Sequence, residues 1–277
     1  MGVGTQSDTL YGMSRNLQWQ PTGAEKDLQK QYGHGGLESV YGGGKLSNPD
    51  LMLMFMNPTA RNVSTVPTWE GIRTPWIGTR HTWKLLSTLG LIDADIAKKF
   101  VALKPEEWNA SAAERLYTHV ADRGLYITNL AKCTQADARH LPDTVFRAYL
   151  PHTYGEIAVV RPKKIIAFGN QVSSVLLQKP ISVSAYTQKE FEDLSIGGDT
   201  FEVYPTYYPV GQGQRNMPKA IERITAVIRD ERRNRTGANK VKNGGRNRTL
   251  ANTGRKRRFV HGPGNTVVTP GTSTGPH

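Results

Sequence analysis

LMLMFMNPTARN, Leu51 to Asn62, is the stretch that decides the fold. It opens with an unbroken apolar run and stops at Asn57-Pro58. Leu, Met and Phe without polar alternation fill a strand when both faces of a parallel sheet are covered. Proline cannot donate to the ladder, so the chain must turn at Pro58. Asn57 then falls at the carboxyl end of a central strand, the edge where open α/β sheets bind their ligands. Asn-Pro is also a common turn starter, and taken alone the motif reads as a strand followed by a turn.

Outward from this strand the chain repeats its pattern. Further strands are predicted at Leu125–Leu130, Lys164–Phe168 and Phe201–Tyr204. Helices are predicted near Ala24–Tyr32 and over Arg80–Leu89, the latter stopping at Gly90. Another opens at Asp93 with Ile96, Phe100 and Leu103 on one face. Ser111 and Glu114 read as a capping box for the next, which carries Leu116 and Val120. Asp143 can cap a helix through Phe146, Leu150, Ile157 and Val160, kinked or interrupted at Pro151. Gly169-Asn170 turns into a helix with Val172 and Val175, and a last helix runs from about Pro218 to Arg229. Strands alternating with helices make a parallel α/β pattern.

Charge divides the chain. The formal net charge is +13, but eleven of the 36 Lys and Arg residues lie from Arg232 onward, where there is no Asp or Glu. The body before Arg232 is therefore nearly neutral. The tail, rich in Gly, Asn, Thr and Arg, has too little apolar surface to fold alone, and a basic arm of this kind binds polyanions by releasing counterions. Its cluster Arg255-Lys256-Arg257-Arg258 is assigned to DNA contact; a solvated tail that only aids solubility is the bland alternative. Three segments follow: a polar, Gly-rich extension (1–37), a folded domain (38–231) and a disordered basic tail (232–277).

Exclusions narrow the class. No apolar run approaches the ~20 residues of a membrane span. The start of the chain lacks the layout of a secretory signal, and Gln6 departs from the myristoylation pattern that Gly2 begins. Cys133 is the single cysteine, which excludes an internal disulfide, a cysteine zinc cage and a cysteine-held iron–sulfur cluster. His81, His119, His140 and His152 show no metal-ligand spacing and read as surface or capping residues. No metal or cofactor is expected. The expected location is cytoplasmic, associated with the nucleoid, or nuclear in a eukaryote.

Strand ends of a parallel sheet converge on one edge. Asn57-Pro58, Asn129 with Lys132, Gly169-Asn170 and the turn Thr206-Tyr-Tyr-Pro-Val210 should therefore meet, and Pro75-Trp76-Ile77-Gly78 lies in the loop after the first strand. Here the chain resembles the uracil-DNA glycosylase superfamily, and within it the thermophile-type branch that carries iron–sulfur clusters. VYGGGKLSNPDLMLMFMNP (40–58) is similar to that branch's approach to its first motif. RTPWIGTRHTWKLLSTLGL (73–91) is similar to its Pro-Phe-Val-Gly loop and Leu-rich helix, and LYITNLAKC (125–133) to its Ile-Thr-Asn-x-x-Lys-Cys strand. AYLPHTYGEIAVVRPKKIIAFG (148–169) resembles the Cys-Leu-Pro helix with the third strand, and TYYPVGQGQRN (206–216) the Thr-Tyr-His-Pro motif with its DNA-probing loop. Order and spacing hold over about residues 38–230. The resemblance implies a three-layer α/β/α sandwich around a central four-stranded parallel sheet, and a DNA-binding monomer.

The resemblance also assigns roles. Asn57 holds the attacking water through its side-chain oxygen, positioning rather than deprotonating it. Trp76 stacks on the flipped base, and Asn129 pairs with O4 and N3–H of uracil. Met56 stands where the branch has the Glu of Gly-Glu-Ala-Pro and is taken as lining the base. Thr59 follows the proline where some relatives carry a bulky residue that blocks a 5-methyl group, so thymine-like or hypermodified bases stay open. Lys132 is assigned to DNA. In the probing loop, Gly211 allows close backbone approach, Gln212 or Gln214 is a polar plug, and Arg215 contacts a phosphate or the gap. Two departures stand out. Tyr149 replaces a cluster cysteine, and Tyr208 replaces the histidine that donates to O2 of the leaving base. Tyr208 or its neighbour Tyr207 could supply that hydroxyl.

The reading is a glycosylase that removes uracil or a related deaminated or modified pyrimidine from DNA. The alternatives are a non-catalytic protein that recognises a flipped or modified base, and a nucleotide-processing enzyme on the same fold.

Overall fold

The computed structural model describes residues 16–209 and 211–229. Its sheet has six strands: β1 (Gly43–Gly44), β2 (Leu51–Phe55), β3 (Leu125–Asn129), β4 (Lys164–Phe168), β5 (Glu192–Ile196) and β6 (Asp199–Thr206), in the order β1-β3-β2-β4-β6-β5. The four central strands are parallel, as expected for a sandwich of this kind. The two edge strands are antiparallel additions that sequence reading does not supply. β1 is two glycines and shows no apolar alternation. β5 reads Glu-Asp-Leu-Ser-Ile, polar as an edge strand often is. It joins β6 through Gly197-Gly198, both at positive φ, in a two-residue hairpin that also lengthens β6 beyond the predicted Phe201–Tyr204.

Strict alternation along the strands divides the core in two. Leu51, Leu53 and Phe55 of β2 join Leu125 and Ile127 of β3 and Ile166 and Phe168 of β4 in one apolar cluster. It is closed by α2 (His81–Thr88), α3 (Ala94–Ala102), α4 (Ala110–Asp122) and the helix 217–229, α7, through residues such as Trp83, Phe100, Leu116 and Ile224. Met52 and Met54 face the other way with Tyr126, Ile165 and Ala167, under α5 (Asp143–Val160) and α6 (Asn170–Leu176). Every side chain of β2 is buried, which is why its run carries no polar residue. Full burial of each such Leu, Met or Phe stabilises the fold by about 1.5–3 kcal/mol.

Helix boundaries differ from expectation in places. α4 begins one residue before Ser111, and its cap is Asn109, whose side chain accepts from the Ala112 amide at 2.9 Å. Asn competes with Ser as a cap, and here its position sets the start. Asp143 is the first residue of α5 after Pro142 and makes no capping bond. α5 runs unbroken through Pro151, because Phe146, Leu150 and Ile157 are anchored in the core on either side of it. The Gly90 stop holds, at φ 65°.

The segment before residue 38 is bound to the body from Asn16 onward. Leu17 is buried, and Gln18 Oε1 accepts from the Arg73 amide at 2.7 Å. On α1 (Gly23–Tyr32), Gln29 Oε1 accepts from the Thr134 amide at 2.9 Å while its Nε2 donates to Leu37 O at 2.8 Å. The proposed tail, with Arg255, Lys256, Arg257 and Arg258, lies outside the described residues.

Candidate active site

At the carboxyl edge, on the face shared with α2 and α4, three aromatic rings gather around Phe55. Phe168, from the adjacent strand end, stacks on it at 4.4 Å between centroids. Trp76 meets it edge-on at 4.8 Å and Tyr208 edge-on at 6.2 Å. Asn129 is the register partner of Phe55 across β2 and β3. Beyond the strands the pairing continues: Leu130 N donates to Phe55 O at 2.8 Å, Ala131 N to Met56 O at 3.0 Å, and Gln135 N to Pro58 O at 3.1 Å. Segments 56–60 and 130–135 therefore run side by side, and the two asparagines belong to neighbouring, tied strand exits.

Trp76 is held in an uncommon conformation, φ 68°, which costs a bulky residue about 1–3 kcal/mol. Its carbonyl is fixed by Thr79 Oγ1 at 2.8 Å, Thr79 N at 3.1 Å and Trp83 Nε1 at 3.0 Å. The preceding carbonyl, of Pro75, accepts from Tyr117 Oη. The loop before it is braced by Asn62, which donates to Thr74 O at 2.8 Å, and by Arg73, whose guanidinium donates to main-chain oxygens of Ser64, Val66, Pro67 and Trp69. These bonds fix Trp76 against Phe55 beside the sheet edge.

Asn57 makes the turn bond that its sequence allows. Its Nδ2 donates to Pro58 O at 3.0 Å, a bond within its own turn. That bond orients the amide and leaves Oδ1 as an acceptor. Asn129 is only 2 % exposed, yet its side chain makes no hydrogen bond among the described residues. Its amide is not among the fully enclosed polar atoms that lack a partner, so it is open to a ligand or to water from the sheet edge.

Of the two tyrosines, Tyr208 turns inward. Its ring meets Phe55, and its Cβ lies beside Gly169, whose φ of 92° favours glycine. Tyr207 lies under Lys219 Nζ, 5.2 Å from its ring centroid. Burial pushes the Tyr208 hydroxyl well above the usual phenol range, so it is a neutral donor at physiological pH. Gly213, in the 3-10 turn Gly211–Asn216, packs its α-carbon where any Cβ would overlap the Tyr208 carbonyl. Gln214 and Arg215 of that turn are exposed. Thr59 is half-buried and bridges to Gln135.

Two assignments are corrected. Lys132 is fully buried and ion-paired to Glu156 at 2.6 Å, so it cannot reach a DNA backbone. Met56 follows Phe55 and by alternation points to the opposite layer, where it packs with the α5 core rather than with the aromatic rings. Phe55 and Phe168, both fully buried, back the Trp76 and Tyr208 rings from the core; their signal was parity, each being the last apolar residue of its strand.

The residues at which the sequence resemblance would place a cluster do not suit iron. Cys133 is buried, beside the Tyr149 hydroxyl and 3.9 Å from Gln135 Nε2. One thiol, a phenol and an amide are not a ligand set for an iron–sulfur cluster. Among the described residues no three His, Cys, Asp or Glu side chains converge.

Residues 83–230, more than half of the chain, match the family model of the uracil DNA glycosylase superfamily. The chain belongs to this superfamily. No curated protein shows significant sequence similarity to it. The match spans Asn129, Phe168, Tyr208 and the turn after it, and it begins after Asn57 and Trp76. Superfamily membership supports a DNA glycosylase-like function on an α/β/α fold. No helix among the described residues is long and apolar enough to cross a membrane.

Proposed function

We propose that this superfamily member hydrolyses the N-glycosidic bond of uracil, or of a related deaminated or modified pyrimidine, in DNA and leaves an abasic site for base excision repair. The observation that carries the reading is Asn129: a side chain only 2 % exposed that makes no hydrogen bond among the described residues, at the carboxyl edge next to Phe55 of the aromatic cluster. The target nucleotide is extruded from the strand, and its base stacks on Trp76. Asn129 accepts from N3–H and donates to O4, a pattern that uracil satisfies and cytosine does not. Tyr208 donates to O2 as charge gathers on the departing base. Asn57 Oδ1 accepts from a water below C1′. An amide is too weak a base to deprotonate that water, so the sugar cation develops first and the water captures it. The water proton leaves to solvent after the new bond forms.

The test is strand cleavage at alkali-labile sites in single- and double-stranded DNA containing uracil. A protein that binds such DNA and cuts none of it is the second reading, which the replacement of histidine by Tyr208 favours. Tyr208→Phe is expected to lower turnover by about 10² to 10³, the usual cost of one lost donor to a developing anion. Tyr208→His is expected to raise turnover. Steady-state kinetics on a uracil oligonucleotide reads both, and a phenylalanine variant as fast as wild type removes Tyr208 from the mechanism.

Arg215 and the basic tail are proposed to track phosphates. Truncation after Asp230 is expected to leave a folded domain and to lower the slope of log K against log salt by a few units, since each phosphate contact contributes roughly 0.9. An unchanged slope would show that the tail does not touch DNA.

A further inference from the structure

We propose that Lys132 and Glu156 form a buried positioning pair that aims the Asn129 amide at the base. The inference rests on the proposed reading of Asn129 as base reader.

Lys132 Nζ, with no exposure, donates to three oxygens: Asn129 main-chain O at 2.5 Å, Glu156 Oε2 at 2.6 Å and Thr128 Oγ1 at 2.7 Å. An ammonium has three protons, and all are used. Glu156 Oε1 in turn accepts from Tyr126 Oη at 2.6 Å and Thr128 Oγ1 at 2.8 Å. One helix residue thus binds β3 at two side chains and holds the lysine that binds it at a third point. Thr153, one turn earlier on α5, adds a bond to Leu130 O at 3.0 Å.

The need for this arises at the sheet edge. Leu130 turns its amide to Phe55, so the main chain of Asn129 faces away from β2, toward β1. β1 reaches only Gly43, opposite Ile127. The Asn129 carbonyl has lost its ladder neighbour, and Lys132 takes the place of one. The Asn129 side chain makes no hydrogen bond of its own among the described residues, so the main chain and packing alone set its direction. Fixing the carbonyl fixes the origin from which the amide projects. The pair lies on the α5 face while Asn129 projects to the aromatic face, so it acts through the backbone and not by touching the base. Stability alone does not require such a pair, because apolar residues of similar volume commonly replace a buried ion pair without loss.

The double variant Lys132→Met/Glu156→Gln tests this. It removes both charges together, keeps an acceptor for Tyr126 and Thr128, and deletes the donor on the Asn129 carbonyl. Side-chain amide resonances of Asn129 are followed while free uracil or free cytosine is added, alongside thermal unfolding and binding to abasic-site DNA. In the wild type, uracil is expected to shift the Asn129 resonances and cytosine to bind more weakly. In the folded double variant the preference for uracil is expected to fall by about tenfold or more, as for a displaced contact group, with abasic-DNA affinity unchanged. A folded double variant with wild-type preference overturns the proposal. A proportional loss for both bases and for abasic DNA also overturns it, since that is the mark of general loosening. If uracil leaves the wild-type Asn129 resonances unmoved, the base-reading assignment itself fails, and the positioning role with it. Should the double variant not fold, Thr128→Val, which removes the hydroxyl linking Lys132 to Glu156 at nearly constant volume, is read by the same criteria with a smaller expected loss.

Discussion

Asn57→Ala is expected to lower the turnover of uracil in DNA by about 10²-fold, the scale associated with losing the position of one reacting group. Binding of uracil-containing DNA should survive, because the proposed role of the side chain is to hold the attacking water and not to touch the base. Its Nδ2 is committed to Pro58 O, so the alanine variant loses one turn bond as well as the water acceptor. Asn57→Asp separates the two effects. The carboxylate keeps an acceptor but cannot donate to Pro58 O, and a rescue relative to alanine would assign the loss to the water. Trp76→Ala is the complementary case, with binding weakened by about 1–3 kcal/mol through lost stacking. Single-turnover kinetics and equilibrium binding on one uracil oligonucleotide distinguish these outcomes. Wild-type turnover in Asn57→Ala would remove the water-positioning role. A wild type that cuts no substrate would make the non-catalytic reading the better account.

Lys132→Met is expected to be the most destabilising single change outside the apolar core. It leaves the Glu156 carboxylate buried without its cation, which costs about 3–5 kcal/mol when one partner of such a pair is removed. For a domain of this size that is a fall of roughly 6–20 °C in Tm. Adding Glu156→Gln should restore more than half of the loss, because the charge left behind is then gone. Residues in one network couple rather than add. A Lys132→Met variant as stable as wild type would show that Glu156 does not depend on the ion pair.

Much of this protein was legible before any coordinate. The Leu51–Met56 run gave away a doubly covered central strand, since a short apolar run without a polar residue, ended by Asn-Pro, fits a strand buried on both faces. The break at Pro58 located the sheet edge, and the order of strands and helices made that sheet parallel. Cys133 standing alone and the charge gathered after Arg232 were matters of counting. All of these are local or compositional properties, which a chain carries whatever its partners. The edge strands were not legible, because Gly43–Gly44 and Glu192–Ile196 owe their strand state to β3 and β6 and not to their own side chains. Lys132 is the sharper case. A lysine three residues after a strand end reads as a surface cation, and only the arrival of Glu156 from a helix 24 positions away makes its burial affordable. The same holds for Tyr207 and Tyr208, adjacent identical residues of which packing sets Tyr208 edge-on to Phe55 and Tyr207 under Lys219. Sequence names the chemistry that reaches the edge; which side of the sheet each group faces, and what neutralises it there, depends on contacts between segments far apart in the chain.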